Sequence, residues 1–262
     1  MLIKKLIIFD LDGTLAESKS AISDQMSELL WLLLEKFSVA IISGGAWKQF
    51  ETQLLKNLLL EDNLQEKLYI FPTCATSFYQ YQNKIWNKIY SEDLTAEEKK
   101  AILKAFDNCF KVVNFIKPEK PPFGEILEDR ATQITFSALG QNAPLSLKSK
   151  WDPTYSKRLQ MIESLRVDLP NFEIRSGGTT SIDITRKNID KAYGIKQITK
   201  YLNFKIEEML FVGDRLEPGG NDSPVISTGV DCVETSGPTQ TETIIKDILA
   251  GNKVEIIEKK HK

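Results

Sequence analysis

Residues 6–15 read Leu-Ile-Ile-Phe-Asp-Leu-Asp-Gly-Thr-Leu, and this stretch decides the fold. Its apolar half, residues 6–9, predicts a strand buried on both faces, because the strands of a parallel sheet are continuously hydrophobic. Two carboxylates, Asp10 and Asp12, follow directly, and Gly13 permits the sharp turn that comes next. The acids therefore lie at the carboxyl end of a central strand, where open α/β sheets bind their ligands. A buried carboxylate pair needs a cation or a proton as its partner, so the stretch predicts a metal site.

Strands and helices alternate on both sides of this motif. Short apolar runs predict further buried strands at 38–42, 68–71, 208–212 and 229–233. Apolar residues at helical spacing predict helices at about 20–36, 190–202 and 239–249, with another that ends near residue 60. Such alternation implies parallel pairing, so we expect an α/β fold with a Rossmann-like parallel-sheet core.

This rhythm is interrupted near residue 80. Residues 78–84 are typical of a strand that enters a turn, and Thr95 with Glu98 forms a capping box that opens a helix. The Asp152-Pro153 pair opens a second helix. Further strands are predicted at 133–138, 172–174 and 180–184. We therefore expect an α+β cap domain inserted into the core, with the core at 1–80 and 188–262 and the cap at 81–187.

The composition restricts the classes of protein to which the chain can belong. The chain has 262 residues, enough for one large or two modest domains, and 42% of them are hydrophobic. The formal net charge is -2 and no basic stripe is interleaved with aromatic residues, so we expect no nucleic-acid partner. The most apolar later run, residues 29–34, is far too short to span a bilayer, so we expect no membrane partner.

The cysteines and the histidine exclude several kinds of chemistry. Cys74, Cys109 and Cys232 are widely spaced, and their odd number argues against a disulfide framework, so we expect a cytoplasmic protein. The single histidine, His261, lies in a short charged tail, residues 258–262, that we expect to be solvated. Histidine-based triads, phosphohistidine chemistry and His-ligated zinc sites are therefore excluded.

A second acidic cluster follows a later strand. The predicted strand at 208–212 runs into Asp214, and a glycine-rich loop then presents Asn221 and Asp222. A Mg²⁺ site needs two or three oxygen ligands that converge from separate strand ends. Asp10 and Asp214 meet this need if their strands are neighbours. The alternative is a surface turn with a solvated aspartate.

Both motifs resemble one known superfamily. The stretch from Asp10 to Thr14 is similar to the opening motif of the haloacid dehalogenase superfamily of phosphotransferases, and the loop from Gly213 to Asp222 resembles its fourth motif. The longer form of that loop, with Pro-Gly-Gly-Asn-Asp, is close to that of the eukaryotic-type phosphomannomutases. The resemblance to this subgroup and to the Cof-like proteins extends over nearly the whole chain.

The resemblance implies a role for each acid of these motifs. Asp10 attacks phosphorus and carries a covalent aspartyl-phosphate, while Asp12 protonates the leaving oxygen and then takes a proton from the acceptor. Mg²⁺ is the implied cofactor, and it screens the repulsion between the anionic nucleophile and the anionic substrate. The implied metal ligands are Asp10, the backbone carbonyl of Asp12, Asp214 and Asp222.

The resemblance also implies groups that hold the transferred phosphate. Ser43 resembles the second motif and offers its hydroxyl, together with the N–H of Gly44, and Thr14 of the first motif is a further substrate-binding residue. The alternative for Ser43 is a helix N-cap. Lys191 matches the position of the lysine that neutralises the phosphate, with Lys187 as its rival.

In the family that the chain resembles, a segment of the cap contacts the sugar phosphate. By position its residues are Ser181 and Asp183, and Arg130 matches a cap arginine that holds the second phosphate of a bisphosphorylated sugar. The alternative for Asp183 is an outward polar residue on an amphipathic strand. Gln141 stands where a second arginine is expected, and a neutral amide cannot make the bidentate charged contact of arginine with phosphate.

The missing arginine bears on the choice between two activities. A mutase must hold two phosphates and reorient its intermediate, whereas a phosphatase holds one phosphate and admits water. The sequence therefore favours a Mg²⁺-dependent phosphatase for a small phosphorylated metabolite such as a sugar phosphate, with a phosphomannomutase-type mutase as the alternative. A non-catalytic regulatory domain of the same fold is disfavoured by the presence of Asp10, Asp12 and Asp214. The sequence leaves a homodimer open.

Overall fold

The computed structural model describes residues 4–58 and 61–257. They divide into two compact units, one made of the chain up to Ser91 together with the chain from Ile189 onward, and the other of Glu92–Asn188. The charged tail with His261 lies outside the described residues. The helix expected to run to about residue 60 is shorter than predicted, since it begins at Trp47 and ends at Gln53, and Leu58 already has an extended backbone. No helix in the described ranges is both long and apolar enough to cross a membrane.

The strands and helices follow the order expected of an α/β core with an insert. In chain order they are β1 (Leu6–Phe9), α1 (Asp24–Lys36), β2 (Ser38–Ile42), α2 (Trp47–Gln53), α3 (Asp62–Gln65), β3 (Leu68–Phe71), α4 (Pro72–Ala75), β4 (Ser77–Gln82), β5 (Ile85–Ser91), α5 (Ala96–Val112), β6 (Leu127–Asp129), β7 (Ile134–Ser137), α6 (Leu145–Trp151), α7 (Ser156–Asp168), β8 (Phe172–Gly177), β9 (Ser181–Arg186), α8 (Lys191–Leu202), β10 (Met209–Gly213), β11 (Asp231–Glu234) and α9 (Pro238–Ala250). Short 3₁₀ turns cover Leu55–Asn57, Ile206–Glu208 and Ser223–Thr228.

The larger unit is built on one extended sheet. Among the described residues it has seven strands in the order β11-β10-β1-β2-β3-β4-β5. The first five strands pair in parallel, and β4 and β5 add an antiparallel edge. Because β1 pairs with β2 on one side and with β10 on the other, the winding of the chain reverses at β1. Such a reversal point is where open α/β sheets bind ligands.

Both faces of this sheet are covered at β1, which explains why that strand is continuously apolar. Ile7 and Phe9 of β1 pack with buried side chains of α1 and α9. Leu6 and Ile8 point to the other face and pack with buried side chains of α8. Since side chains alternate along a strand, a strand buried on both faces has no polar position. The expected α/β fold with a parallel-sheet core is confirmed.

The first boundary between the larger and the smaller unit lies later in the chain than expected. The sequence places it between residues 80 and 81, which lies inside β4, whereas the compact units divide after Ser91. Tyr69 and Ile70 of β3 pair with Gln80 and Tyr79 of β4, so the hairpin belongs to the larger sheet. The sequence of an amphipathic strand does not reveal which sheet it joins. At the second boundary the units divide after Asn188, one residue beyond the expected position.

The smaller unit is an α+β structure with its own core. Its strands form an antiparallel sheet in the order β6-β7-β9-β8. One face of the sheet packs on α5 and α7, and the buried side chains at this contact include Phe106, Leu165 and Ile182. The predicted capping box of Thr95 and Glu98 is confirmed at the start of α5.

The helix expected from Asp152 begins later than the sequence indicates. α7 starts at Ser156, and Tyr155 precedes it with a left-handed backbone. The carboxylate of Asp152 nevertheless accepts hydrogen bonds from the main-chain N–H groups of Lys157 and Arg158. It therefore caps the first turn of the helix from a position outside it. α6, just before this turn, was not predicted from the apolar spacing.

Candidate active site

Three carboxylates and one lysine meet at the carboxyl end of the larger sheet. Asp10 follows β1, Asp214 follows β10, Asp222 lies in the loop after it, and Lys191 is the first residue of α8. One oxygen from each carboxylate lies within 4.8 Å of those of the other two. The Nζ atom of Lys191 lies 2.6 Å from Oδ1 of Asp10 and also contacts Oδ1 of Asp222. The structure thus brings together four of the predicted site residues.

The pairing of β1 with β10 accounts for the approach of Asp10 and Asp214. Phe9 lies opposite Val212, and the N–H of Asp10 continues the ladder by donating to the carbonyl of Val212 at 3.1 Å. Gly13 is also required here. Its φ is +84°, and a Cβ atom on it would lie 2.4 Å from Oδ2 of Asp214. Any other residue would displace that carboxylate.

The glycine-rich loop closes on itself through Asp222. The N–H of Asp222 donates to the carbonyl of Arg215 at 3.1 Å, and Oδ2 of Asp222 accepts from the N–H of Arg215 at 3.0 Å. Asp222 is fully buried, whereas Asn221 beside it is exposed. The loop therefore delivers one of its two final polar side chains to the cluster and leaves the other at the surface.

The cluster contains three carboxyl groups and one ammonium group. Burial raises the pKa of the Asp10 carboxyl to about 8, and the charge of Asp222 adds to this, while Lys191 opposes it. Burial, with Asp222 next, also raises the pKa of Asp214. Burial disfavours the ammonium of Lys191, but Asp10 and Asp222 outweigh it and hold the pKa of that lysine above its usual value. Lys191 is therefore a permanent cation.

The residues present fit a divalent cation such as Mg²⁺. When ionised, three carboxylates less one ammonium leave two negative charges, which is the charge that one such ion neutralises. Oδ1 of Asp214 is buried and accepts no hydrogen bond from the described residues. A buried carboxylate oxygen without a partner is costly, and carboxylate oxygens are the ligands that Mg²⁺ prefers. Asp10, Asp214 and Asp222 are thus the side chains that could hold the ion.

The carboxylate of Asp12 lies outside this cluster and turns towards α2. Its Oδ2 accepts from Nε2 of Gln49 at 2.7 Å. Its Oδ1 accepts from Nε2 of Gln53 at 3.1 Å and from the N–H of Lys19 at 2.7 Å. Any metal contact of Asp12 is therefore left to its main-chain carbonyl. These two glutamines carry no recognisable motif in the sequence, although their i, i+4 spacing places them on one helix face.

The residues expected around the transferred phosphate are all at or near strand ends. Ser43 follows β2 and is buried, and its Oγ accepts from the N–H of Gly45 at 3.2 Å. The alternative of a helix N-cap at Ser43 is wrong, because α2 begins at Trp47 and Ala46 is the N-cap residue. Thr14 is fully buried, and its Oγ1 has no hydrogen-bond partner among the described residues.

The two rival lysines occupy different surroundings. Lys187 is exposed at the end of the smaller unit. Lys191 is 1% exposed and contacts Asp10 directly. Of the two, Lys191 has the geometry of a counter-ion for the candidate nucleophile.

Ser181 and Asp183 lie on one face of the smaller sheet. They are opposite Ser137 and Thr135 of β7. The Thr135 hydroxyl donates to Oδ1 of Asp183 at 2.7 Å, and the hydroxyls of Ser137 and Ser181 are 3.1 Å apart. Asp183 is half-buried in this polar row. Asp183 does point away from the buried side chains of β9, as the alternative of an outward polar residue requires. Its carboxylate is nevertheless half-buried and hydrogen-bonded to Thr135.

Arg130 and Gln141 are neighbours, and a second cation lies beside them. The guanidinium of Arg130 binds Oε2 of Glu128 and donates to Oε1 of Gln141 at 3.2 Å. The Nζ atom of Lys148 donates to the main-chain carbonyl of Gln141 at 2.9 Å. Lys148 is 7% exposed and lies on α6, a helix that the apolar spacing does not predict. A positive charge thus stands next to the neutral Gln141.

Comparison with known proteins assigns this chain to a family. The family model described as eukaryotic phosphomannomutase matches residues 26–251. The chain belongs to this family. The match begins after the first motif, so the evidence for Asp10 and Asp12 comes from their own sequence and geometry.

Curated relatives agree with the family model. The chain is 28% identical over 228 residues to a phosphomannomutase of Encephalitozoon cuniculi, which covers 84% of this chain and 83% of that protein. It is 26% identical over 224 residues to a phosphomannomutase of Saccharomyces cerevisiae, covering 83% of each.

Solved structures confirm the fold of the haloacid dehalogenase superfamily. A haloacid dehalogenase-like hydrolase from Bacteroides thetaiotaomicron superposes with a TM-score of 0.65 over 94% of this chain and 99% of that one, at 16% identity. The ATP-bound IMP-nucleotidase of Plasmodium falciparum gives a TM-score of 0.73 over 99% of this chain and 64% of that one, at 15% identity. At such identities the likeness concerns the fold alone.

Proposed function

We propose that this chain is a Mg²⁺-dependent phosphotransferase that isomerises a small sugar phosphate, as a phosphomannomutase does. The observation that carries the proposal is the burial of Asp10 between the ammonium of Lys191 and the carboxylates of Asp214 and Asp222. The sequence by itself favours a phosphatase and keeps the mutase as the alternative. The family and the curated relatives support that alternative better.

The first half of the reaction forms an aspartyl-phosphate. An oxygen of Asp10 attacks phosphorus, and the bond between phosphorus and the oxygen of the donor sugar breaks. Asp12, in its acid form, gives its proton to that leaving oxygen. Lys191 holds Asp10 in place and offsets its charge. Mg²⁺ held by Asp10, Asp214, Asp222 and the main-chain carbonyl of Asp12 would supply the remaining positive charge against the incoming phosphate.

The second half reverses these roles. The carboxylate of Asp12 takes the proton of an acceptor hydroxyl, whose oxygen attacks phosphorus, and the bond to Asp10 breaks and restores its carboxylate. A sugar hydroxyl as acceptor completes a mutase cycle, whereas water releases free phosphate. In this proposal the Ser43 hydroxyl, the Gly44 N–H and Thr14 hold the phosphate oxygens.

The smaller unit is proposed to act as the cap that selects the substrate. Its polar row offers Ser181 and Asp183 to sugar hydroxyls or phosphate, and Arg130 offers a cation. Gln141 weakens the argument for a second phosphate site if it is considered alone. Lys148 supports that site, because its ammonium lies against the main chain of Gln141 and supplies the charge that the amide lacks.

One assay separates the proposed mutase from a phosphatase. Purified protein with Mg²⁺ and a hexose bisphosphate activator is given mannose 1-phosphate, and mannose 6-phosphate and free phosphate are measured together. Many isomerisations for each phosphate released support the mutase. Phosphate release alone supports the phosphatase, which is the second candidate because Gln141 is neutral. No turnover of either kind, with Mg²⁺ bound, contradicts both.

We also propose that the protein works in a reducing compartment such as the cytoplasm. The three cysteines lie in the described part of the chain, and no two of them form a disulfide.

A further inference from the structure

We propose that Gln49 and Gln53 are positioning residues that hold the carboxylate of Asp12 in the direction needed for proton transfer. The inference rests on the proposed function, which gives Asp12 the acid–base role. Its basis is the set of three N–H donors that converge on this one side chain from α2 and from the loop after the first motif.

Each of the two glutamine amides binds a different oxygen of the Asp12 carboxylate. Nε2 of Gln49 donates to Oδ2 of Asp12 at 2.7 Å, and Nε2 of Gln53 donates to Oδ1 at 3.1 Å. A third donor, the N–H of Lys19, reaches Oδ1 at 2.7 Å. Hydrogen bonds to both oxygens leave the carboxylate little freedom to rotate. Its plane and direction are therefore set by α2 and the loop.

The amide of Gln53 can be oriented in only one way. Its Nε2 also donates to the main-chain carbonyl of Ser20 at 2.7 Å, so both of its hydrogens face acceptors. Turning the amide over would bring its carbonyl oxygen against two other oxygens. Gln53 is 4% exposed, and this fixed amide joins the loop after the first motif to the side chain of Asp12.

Gln49 reaches Asp12 through space left by a glycine. A Cβ atom on Gly45 would lie 2.3 Å from Oε1 of Gln49, so a larger residue there would displace the amide. Gly45 also donates its N–H to Oγ of Ser43. The turn after β2 therefore serves two neighbouring groups, the Ser43 hydroxyl and the amide that holds Asp12.

The main chain of the loop completes the arrangement. Lys19 has a φ of +58°, in the left-handed region that residues other than glycine seldom adopt. The turn that contains Lys19 is closed by the N–H of Ser20, which donates to the carbonyl of Glu17 at 2.8 Å. An uncommon backbone conformation is thus maintained at the residue whose N–H points at Asp12.

The two acids of the first motif lie in different surroundings, which suit the different roles proposed for them. Asp10 shares its environment with Lys191, Asp214 and Asp222, whereas Asp12 is turned to amide donors. Neutral amides hold a carboxylate in place without giving it a permanent ionic partner. Asp12 is thereby kept out of the carboxylate cluster and left for proton transfer.

The test uses two phosphate esters that differ in their need for an acid. A sugar alkoxide leaves phosphorus slowly unless it is protonated, whereas nitrophenolate is a stable anion and leaves without a proton. The kcat/KM value covers the steps up to loss of the leaving group. It is measured with mannose 1-phosphate and with p-nitrophenyl phosphate for the wild type, Gln49→Met, Gln53→Met and Asp12→Asn. Lys48→Met, an exposed change on the same helix, is the matched control.

We expect each glutamine variant to lose roughly tenfold to a hundredfold in kcat/KM with mannose 1-phosphate, because a misdirected acid transfers its proton poorly. With p-nitrophenyl phosphate the loss should stay within about twofold, and Asp12→Asn should show the same selectivity more strongly. Lys48→Met should match the wild type with both esters.

Other results overturn the proposal and are distinguishable from one another. Equal losses with both esters would mean that the glutamines only maintain the fold, and no loss with either would mean that they do not position Asp12. A wild-type protein that turns over neither ester with Mg²⁺ bound contradicts the proposed function itself, and the inference with it.

Discussion

The Nζ atom of Lys191 lies 2.6 Å from Oδ1 of Asp10, and both side chains are almost completely buried. Lys191 begins α8 and Asp10 follows β1, so the contact joins the two parts of the chain that form the larger unit. The contact with the Lys191 ammonium fixes the direction of the Asp10 carboxyl. Burial raises the pKa of that carboxyl to about 8. The pair therefore holds the proposed nucleophile in a fixed position at the reversal point of the sheet.

Asp10→Asn should abolish turnover, because the amide keeps the shape of the side chain but cannot attack phosphorus. We expect a loss of at least roughly a thousandfold in kcat, and no aspartyl-phosphate analogue trapped with beryllofluoride. Circular dichroism serves as the control for folding. A folded variant with near-normal turnover would falsify the assignment of the nucleophile.

Lys191→Met should destabilise the fold, because it leaves the buried carboxylates of Asp10 and Asp222 without their cation. Removing one partner of a buried ion pair costs about 3–5 kcal/mol. The free energy of unfolding is measured by urea titration in the absence of Mg²⁺, with Lys196→Met, an exposed change on the same helix, as the control. Equal stability of the two variants would contradict this account of Lys191.

Asp214→Ala should weaken Mg²⁺ binding, because it removes a proposed ligand whose Oδ1 has no hydrogen-bond partner in the described structure. We expect the Kd measured by calorimetry to rise by at least roughly tenfold. Glu234→Ala, an exposed change in the next strand, should leave it unchanged. EDTA should inhibit the wild type and added Mg²⁺ should restore it, so full activity of a metal-free sample would refute the metal role.

Lys148→Met should shift the protein from isomerisation towards hydrolysis, because it removes the cation beside Gln141. A charged contact contributes roughly 1.5–3 kcal/mol, so the ratio of isomerisation to phosphate release should fall by about tenfold or more. Lys150→Met, exposed on the same helix, is the control, and Gln141→Arg should raise the ratio. If the Lys148 variant keeps the wild-type ratio, that lysine holds no phosphate.

Glu98→Gln should change how the stability of the smaller unit depends on pH. Hydrogen bonding to Arg186 lowers the pKa of Glu98 from its ordinary 4.5 to about 2. The folded protein therefore holds this proton less readily than the unfolded one, so the contribution is complete above about pH 4.5 and is lost as the pH falls towards 2. The difference in Tm between the wild type and the variant should shrink over that range. A constant difference would mean that the pair does not titrate as described.

Much of the fold could be predicted from local patterns. The apolar runs at 6–9 and 38–42 match β1 and β2 residue for residue, because a strand buried on both faces must be apolar along its whole length. The expected boundary cuts through the hairpin β4–β5, since the pairing of β4 with β3 depends on a partner that its own sequence does not specify. α6 was missed, and with it Lys148.

Part of the candidate site could likewise be predicted from the sequence, and part could not. The sequence by itself determined that acids follow β1 and β10 and that glycines follow them, because a strand end followed by a turn is a local pattern. Only the tertiary structure decided that Lys191 rather than Lys187 meets Asp10, that Asp222 rather than Asn221 joins the cluster, and that Asp12 turns to Gln49 and Gln53. The physical reason is that these contacts depend on which strands are neighbours and on which way each side chain leaves its turn, and spacing along the chain fixes neither.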